Sequence, residues 1–113
     1  MNPKLNVLVC DPIDEEGTEK LRQAGFKVDV SPTISAEQLI KTVSNYDAII
    51  VRSRTQVTKE VIEAGKQLKA VGRAGAGLDN INVEAAEKRG VMVLNTPEAP
   101  ADAVAELTIG LMI

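Results

Sequence analysis

VGRAGAGLDNINVEAAEKRGVMVLNTP, residues 71–97, joins an apolar run, a glycine-rich turn, a helix-forming run and a second apolar run. Gly72, Gly75 and Gly77 let the backbone adopt positive φ and come close to a ligand, so they predict a turn after the first run. Arg73 adds a planar, permanently charged guanidinium suited to carboxylate or phosphate. The stretch therefore predicts a strand, a turn with an anion site, a helix and a further strand.

The glycine spacing in this turn differs from the fingerprint of dinucleotide-binding proteins. That fingerprint is GxGxxG where a strand meets a helix, whereas residues 72–77 read GxxGxG, so we do not assign a dinucleotide site here. The chain also contains no histidine, which is the side chain most often used for proton transfer near neutral pH. The sequence therefore favours binding over catalysis.

The composition is that of one globular domain. The 113 residues are 44% hydrophobic but only 2% aromatic, so aliphatic side chains must build the core. A net charge of −3 provides no positive potential that would attract nucleic acid or an anionic membrane, and neither partner is expected.

The single cysteine, Cys10, excludes an internal disulfide, and we expect it to be a buried small side chain rather than a nucleophile. Without a signal-peptide pattern at the N-terminus, a cytoplasmic protein is expected.

Five apolar runs alternate with helical patterns and predict five strands. The runs are Leu5–Cys10, Lys27–Val30, Asp47–Val51, Leu68–Gly72 and Val91–Leu94. The first, third and fifth show little alternation, which is typical of parallel strands covered by helices on both faces. Strands that alternate with helices form right-handed βαβ units. We therefore predict an α/β fold, a flavodoxin-like three-layer sandwich whose five-stranded parallel sheet has the order 2-1-3-4-5 and helices on both faces.

Capping residues mark where the predicted helices begin and end. The predicted N-caps, in chain order, are Asp14, Ser35, Thr58 and Asn82. Ser35 and Gln38 have the spacing of a capping box, so the start of the second helix is the best specified. Gly25 and Gly90 are predicted to end the first and fourth helices, because glycine readily takes the left-handed conformation found just after a helix.

Cations follow two neighbouring strands of the predicted sheet. Arg52 and Arg54 come directly after the third strand, and Arg73 comes at the end of the fourth. The carboxyl ends of parallel strands meet at one edge, where α/β proteins bind ligands. If the third strand continued, Arg52 and Arg54 would share a face while Ser53 turned away, and one of the two arginines would be solvated surface. The sequence predicts that Arg52 and Arg73 converge on a small anion.

The segment after the first strand, residues 11–16, is acidic. An acidic loop repels phosphate, so the phosphate loop of a flavin-binding protein is not expected here. Asp11 does not fit a phosphoacceptor either. A receiver domain needs that carboxylate after the third strand, where this chain has Arg52 and Ser53.

Most of the chain resembles the substrate-binding part of the D-2-hydroxyacid dehydrogenases, and among them the members that act on 3-phosphoglycerate. The segments that carry the resemblance are VRSRTQVT, LKAVGRAGAGLDNINVEAAEKRGV and VLNTP. The likeness extends from the strand containing Leu5 to the AELTIGLM segment. Relatives acting on glyoxylate or hydroxypyruvate generally lack an arginine at the position of Arg73, so the resemblance favours a phosphorylated acid as substrate.

The resemblance also implies roles for individual residues. Those implied to bind the substrate are Arg52, Ser53, Arg73, Gly75, Ala76 and Gly77. In the family, the two arginines contact the substrate, and backbone groups of the 75–77 loop hold its carboxylate. The residue matching Ala76 also lies against the nicotinamide of NAD. Threonine is frequent there, so Ala76 would contribute backbone contacts only.

The family places its NAD-binding Rossmann domain, with the catalytic arginine, glutamate and histidine, after the segment in which this chain ends. We therefore predict a substrate-binding domain over residues 1–98 and, over residues 99–113, a helix that leads to the NAD-binding domain of a longer parent. Neither catalysis nor a bound cofactor or metal is expected of this chain alone. The apolar residues near its end are expected to fold back onto the sheet or to pair with a second copy in a homodimer.

Two interpretations of function remain open at this point. In the first, the chain binds substrate for an NAD-dependent enzyme that oxidises 3-phosphoglycerate at C2, the first step toward serine. In the second, it is a stand-alone or excised flavodoxin-like binding or scaffold module without catalysis. This interpretation explains the lack of histidine without assuming that a catalytic domain is missing. Binding of 3-phosphoglycerate would distinguish the two.

Overall fold

The structure, a computed structural model, describes residues 5–11, 15–52, 54–74 and 79–96. The strands in these ranges are β1 (Asn6–Val9), β2 (Lys27–Val30), β3 (Ala48–Val51), β4 (Ala70–Ala74) and β5 (Met92–Thr96). The helices are α1 (Glu15–Gln23), α2 (Ala36–Thr42), α3 (Lys59–Ala64) and α4 (Val83–Lys88), and a 3-10 turn, Val43–Asn45, follows α2. The helix predicted over residues 99–113 and the domain boundary at residue 98 lie outside these ranges.

The five strands form one parallel sheet in the order β2-β1-β3-β4-β5. This confirms the predicted fold class and strand order. Parallel neighbours require a crossover between them, and each crossover here contains one of the four α-helices. As a result, the carboxyl ends of all five strands lie at the same edge of the sheet.

Three of the four predicted N-caps are confirmed. The Ser35 hydroxyl accepts the Gln38 amide at 3.2 Å, and the Gln38 side chain accepts the Ser35 amide at 3.1 Å, which completes the capping box. At α3 the Thr58 hydroxyl accepts the Val61 amide, and at α4 the Asn82 side chain accepts the Ala85 amide. The fourth, Asp14, lies outside the described residues. Gly25 and Gly90 take positive φ, 98° and 72°, as predicted for residues that follow a helix.

Two apolar clusters lie on the two faces of the sheet. Alternate residues of β3 enter different clusters, since Ile49 and Val51 face α2, α3 and α4 while Ala48 and Ile50 face the side of α1. All four residues of β3 are buried. The unbroken apolar run of the third strand therefore reflects burial on both faces, as predicted.

The sequence predicts helices on both faces of the fifth strand. β5 pairs with β4 alone and is the outermost strand on its side of the sheet. Met92 is 50% exposed, and Val93 and Leu94 are half-buried. Residues 97–113, which follow β5 in the chain, lie outside the described residues, so coverage of this strand on both faces stays a prediction.

Cys10 is fully buried at the end of β1, as predicted. Its burial, and secondarily the neighbouring Asp11 carboxylate, raises the pKa of the thiol to about 12. The buried thiol is therefore protonated at neutral pH, which disfavours a nucleophilic role in the folded chain.

The capping box generates the first testable prediction. Ser35→Ala removes the acceptor for the Gln38 amide, so the free energy of unfolding should fall by about 1 kcal/mol in urea titrations. Ser44→Ala is the matched control, because Ser44 lies in the turn that follows α2 and its hydroxyl makes no hydrogen bond with the described residues. Equal losses in both variants would contradict a capping role.

The raised thiol pKa predicts a loss of stability at alkaline pH. The unfolded thiol loses its proton near pH 9, whereas the folded thiol keeps it up to about 12. The contribution of this thiol to the free energy of unfolding is therefore fully present below pH 9. Above pH 9 the contribution declines, and it is about 1 kcal/mol smaller at pH 10. The pKa of Tyr46 is also raised to about 12, chiefly by burial, but its unfolded value is nearer 10. Urea titrations of Cys10→Ala at pH 8 and 10 should show less of this decline, and an equal decline would contradict it.

Candidate functional site

The carboxyl ends of β3 and β4 bring the two predicted substrate-binding arginines to one edge of the sheet. Val51, the last residue of β3, pairs with Arg73 of β4. Arg52 follows Val51 directly, so the backbones of Arg52 and Arg73 lie on neighbouring strands at the predicted edge. The other predicted site residues, Ser53 and the loop of Gly75, Ala76 and Gly77, lie outside the described residues.

The side chains of the two arginines are in different environments. Strand alternation puts Arg73 on the face of Val71, which packs with α2, α3 and α4. Arg52 lies one residue beyond the end of β3, where alternation no longer fixes its direction, and it is exposed. The structure therefore places both cations at one edge but buries only Arg73.

Arg73 is buried without its expected partners. It is 9% exposed, and its Nε and Nη1 atoms have no hydrogen-bond partner in the part of the chain that the structure describes. Removing a cation from water is costly unless an anion or acceptors compensate for the lost hydration. An anionic ligand at the end of β4 would supply that compensation.

Arg54, in contrast, is anchored to the fold rather than solvated. Its Nε lies 2.9 Å from Asp11 Oδ1, and its Nη2 and Nη1 donate to the carbonyls of Cys10 at 2.7 Å and Ile34 at 3.1 Å. Although the side chain is 46% exposed, these contacts give it a structural role. The predicted face-sharing of Arg52 and Arg54 does not apply, because β3 ends at Val51.

Asp11 is the centre of this polar cluster and is almost completely buried. Its Oδ2 accepts the backbone amides of Arg52 at 2.6 Å and Thr55 at 3.2 Å, and its Oδ1 accepts the Thr55 hydroxyl at 2.6 Å. With the Arg54 ion pair, this carboxylate binds residues at both ends of the loop after β3. The charge of Asp11, one of the acidic residues of segment 11–16, is thus paired inside the protein.

Asn80 holds the same loop from the other side. Its Nδ2 donates to the carbonyl of Arg52 at 2.6 Å and to that of Thr55 at 2.7 Å. The backbone around it is paired as well, because the Val57 amide donates to the Asn80 carbonyl at 2.7 Å and the Asn82 amide donates to the Val57 carbonyl at 2.9 Å. The segment that follows β4 is therefore joined to the segment that follows β3.

The sequence analysis missed Asp11, Thr55 and Asn80 as site residues. A signal existed for the first, since Asp11 follows β1 and Arg54 follows β3, and the predicted strand order makes these strands neighbours. Opposite charges at adjacent strand ends predict an ion pair. Asn80 had no comparable signal, because its partners are backbone carbonyls, which any residue supplies.

An open cleft of about 440 Å³ lies beside this cluster, between residues 56–60 and 79–82. Neither Arg52 nor Arg73 is among its lining residues in the described ranges. The same ranges contain no group of three or more residues that could hold a metal ion. They also contain no helix long and apolar enough to cross a membrane.

Comparison with known proteins identifies related sequences over nearly the whole chain. Residues 7–109 match the family model of the D-isomer specific 2-hydroxyacid dehydrogenase catalytic domain. D-3-phosphoglycerate dehydrogenase of Archaeoglobus fulgidus is 47% identical over 96% of this chain and 21% of its own length. Hydroxypyruvate reductase of Thermotoga maritima is 46% identical over 97% of this chain and 36% of its own length.

A solved structure agrees with these sequence matches. NAD+-bound 3-phosphoglycerate dehydrogenase of Entamoeba histolytica superposes with a TM-score of 0.75 at 35% identity, over 98% of this chain and 39% of that one. The chain thus spans between about a fifth and two-fifths of the length of these proteins. The chain belongs to the D-isomer specific 2-hydroxyacid dehydrogenase family.

Proposed function

We propose that this chain is the substrate-binding part of an NAD-dependent D-3-phosphoglycerate dehydrogenase, which oxidises 3-phosphoglycerate at C2 in serine biosynthesis. Family membership supports an oxidoreductase, and relatives named D-3-phosphoglycerate dehydrogenase support this substrate. NAD as cofactor of the parent is supported by the NAD+-bound relative. We further propose a cytoplasmic parent that forms homodimers through residues 99–113.

The observation that carries the proposal is that two buried guanidinium nitrogens of Arg73 have no hydrogen-bond partner among the described residues. Its Nε and Nη1 are buried without acceptors among the described residues, at the edge of the sheet where Arg52 also lies. 3-Phosphoglycerate carries a phosphate at one end and a carboxylate at the other, so two cations suit it. Arginine matches either group with two parallel hydrogen bonds.

The proposed role of this chain is to bind the substrate and hold it in position for the reaction. Arg52 and Arg73 bind the anionic groups, and Ser53 with the backbone of Gly75, Ala76 and Gly77 completes the site. Fixing the substrate lowers the entropic part of the barrier to reaction. With no histidine in the chain, proton transfer is assigned to another part of the parent, and the chain alone should not catalyse the oxidation.

NAD is likewise assigned to the rest of the parent. Residues 72–77, which include the last three residues of β4, read GxxGxG, and this spacing does not fit the phosphate-binding turn of a dinucleotide site. The proposed contribution of this chain to the cofactor is limited to Ala76, beside the nicotinamide. Bound NAD supplies the hydride acceptor for the oxidation at C2.

Hydroxypyruvate is the second substrate to test, because the Thermotoga maritima relative is named for it. It has a carboxylate but no phosphate, so it can use only one of the two cations. Comparing its affinity with that of 3-phosphoglycerate shows whether both arginines bind. If neither compound binds, the interpretation as a binding or scaffold module without this substrate gains support.

Titration of the chain with 3-phosphoglycerate, followed by NMR chemical shifts, tests the proposal. Arg73→Ala should weaken binding about 10-fold to 100-fold, since hydrogen bonds to charged groups contribute about 1.5–3 kcal/mol. Arg89→Ala is the matched control. Arg89 follows α4 and precedes β5, so it lies at the amino ends of the strands, away from the proposed site. Equal affinity of the Arg73 variant and the wild-type chain would refute the proposed site.

The buried charge of Arg73 also predicts an effect on stability. Arg73→Met removes an uncompensated charge at similar volume, so without ligand the free energy of unfolding should rise by about 1 kcal/mol or more. Arg54→Met should lower it by about 1–3 kcal/mol, because Asp11 then loses its ion pair. Urea titrations of both variants measure these changes. Destabilisation of the same size in both would show that Arg73 is compensated within the fold.

A further inference from the structure

The loop after β3 is fixed at two points by side chains from other parts of the chain. At Arg52 the backbone amide donates to Asp11 and the carbonyl accepts from Asn80. At Thr55 the amide again donates to Asp11 and the carbonyl again accepts from Asn80. Both backbone polar groups of both residues are therefore bound by the same two side chains.

The position of Asn80 in the chain allows it to join the segment after β4 to the loop after β3. It follows the predicted carboxylate-binding loop at residues 75–77 by three residues. Its side chain binds the loop that carries Arg52, and its carbonyl accepts the Val57 amide. Any displacement of the segment after β4 relative to the segment after β3 breaks these hydrogen bonds.

The chemistry of Asn80 suits this task. Its Nδ2 carries two hydrogens and donates one to each carbonyl, while its Oδ1 is buried without a partner among the described residues. The residue is 7% exposed, so its amide binds these carbonyls largely out of contact with solvent. Neither aspartate, which only accepts when ionised, nor leucine, which does not donate, can make these two bonds.

We propose that Asn80 is a positioning residue for anion binding: by holding the carbonyls of Arg52 and Thr55, it fixes the loop after β3 against the segment after β4. Asp11 completes the arrangement by holding the amides of the same two residues. This inference rests on the proposed function, since it assigns Arg52 to the ligand. Asn80 itself contacts the loop and need not touch the anion.

The expected loss of affinity in an Asn80 variant depends on how often the loop after β3 still adopts its binding geometry. If loss of Asn80 leaves the loop in its binding geometry only about a tenth of the time, the apparent affinity for 3-phosphoglycerate falls about tenfold. A purely structural residue would lower stability without this effect wherever the variant is still fully folded.

The experiment compares Asn80→Ala with Leu21→Ala, a core substitution on the α1 side of the sheet. Both should destabilise the chain, and 3-phosphoglycerate affinities are measured by NMR at a temperature where each is folded. Binding should weaken about tenfold in Asn80→Ala and stay unchanged in Leu21→Ala. Equal affinities in the two variants would overturn the proposal. Asn80→Ser, which can donate to one carbonyl only, should lie in between and serves if the alanine variant does not fold.

Amide hydrogen exchange separates failure of this inference from failure of the proposed function. The amides of Arg52 and Thr55 should exchange about tenfold faster in Asn80→Ala than in Leu21→Ala. If the wild-type chain does not bind 3-phosphoglycerate, the proposed function fails while faster exchange still supports the positioning of this loop. Exchange at equal rates in both variants would overturn the positioning role whatever the ligand.

Discussion

The buried carboxylate of Asp11 organises the edge of the sheet on which the candidate site depends. An ionised group in the interior is tolerated only when donors replace its hydration. Among the described residues, those donors come from Arg52, Arg54 and Thr55, as two backbone amides, one hydroxyl and one guanidinium. Burial of Asp11 therefore requires that β1 and β3 be neighbours and that these three residues lie against the end of β1.

Two arginines, one after β3 and one at the end of β4, show how the surroundings of a buried or half-buried guanidinium can differ. Arg54 satisfies its donors with Asp11 and with two backbone carbonyls. Arg73 is more deeply buried, yet two of its nitrogens have no acceptor among the described residues. Composition and spacing cannot separate these cases, because the difference lies in what surrounds each guanidinium.

Local signals accounted for most of the fold, whereas the contacts around the site are long-range. Ser35, Thr58 and Asn82 bind amides three residues away, so the sequence alone predicted their helix starts. The contacts of Asp11 with Arg52 and Thr55 span 41 and 44 residues and exist only once the strand order is set. The roles of Ser53 and of residues 75–77 stay predictions, because these residues lie outside the described ranges.

The strand order also has a consequence for how the chain is made. β1 pairs with β3, so Val7 meets Ala48 only after some 40 intervening residues have been synthesised. Closing a loop of that length costs about 3 kcal/mol of chain entropy, and at ribosomal rates its synthesis takes about 2–8 s. During that interval an apolar strand destined for the middle of the sheet lacks one neighbour. Until β3 has been made, this unpaired edge of β1 is therefore open to association with other chains.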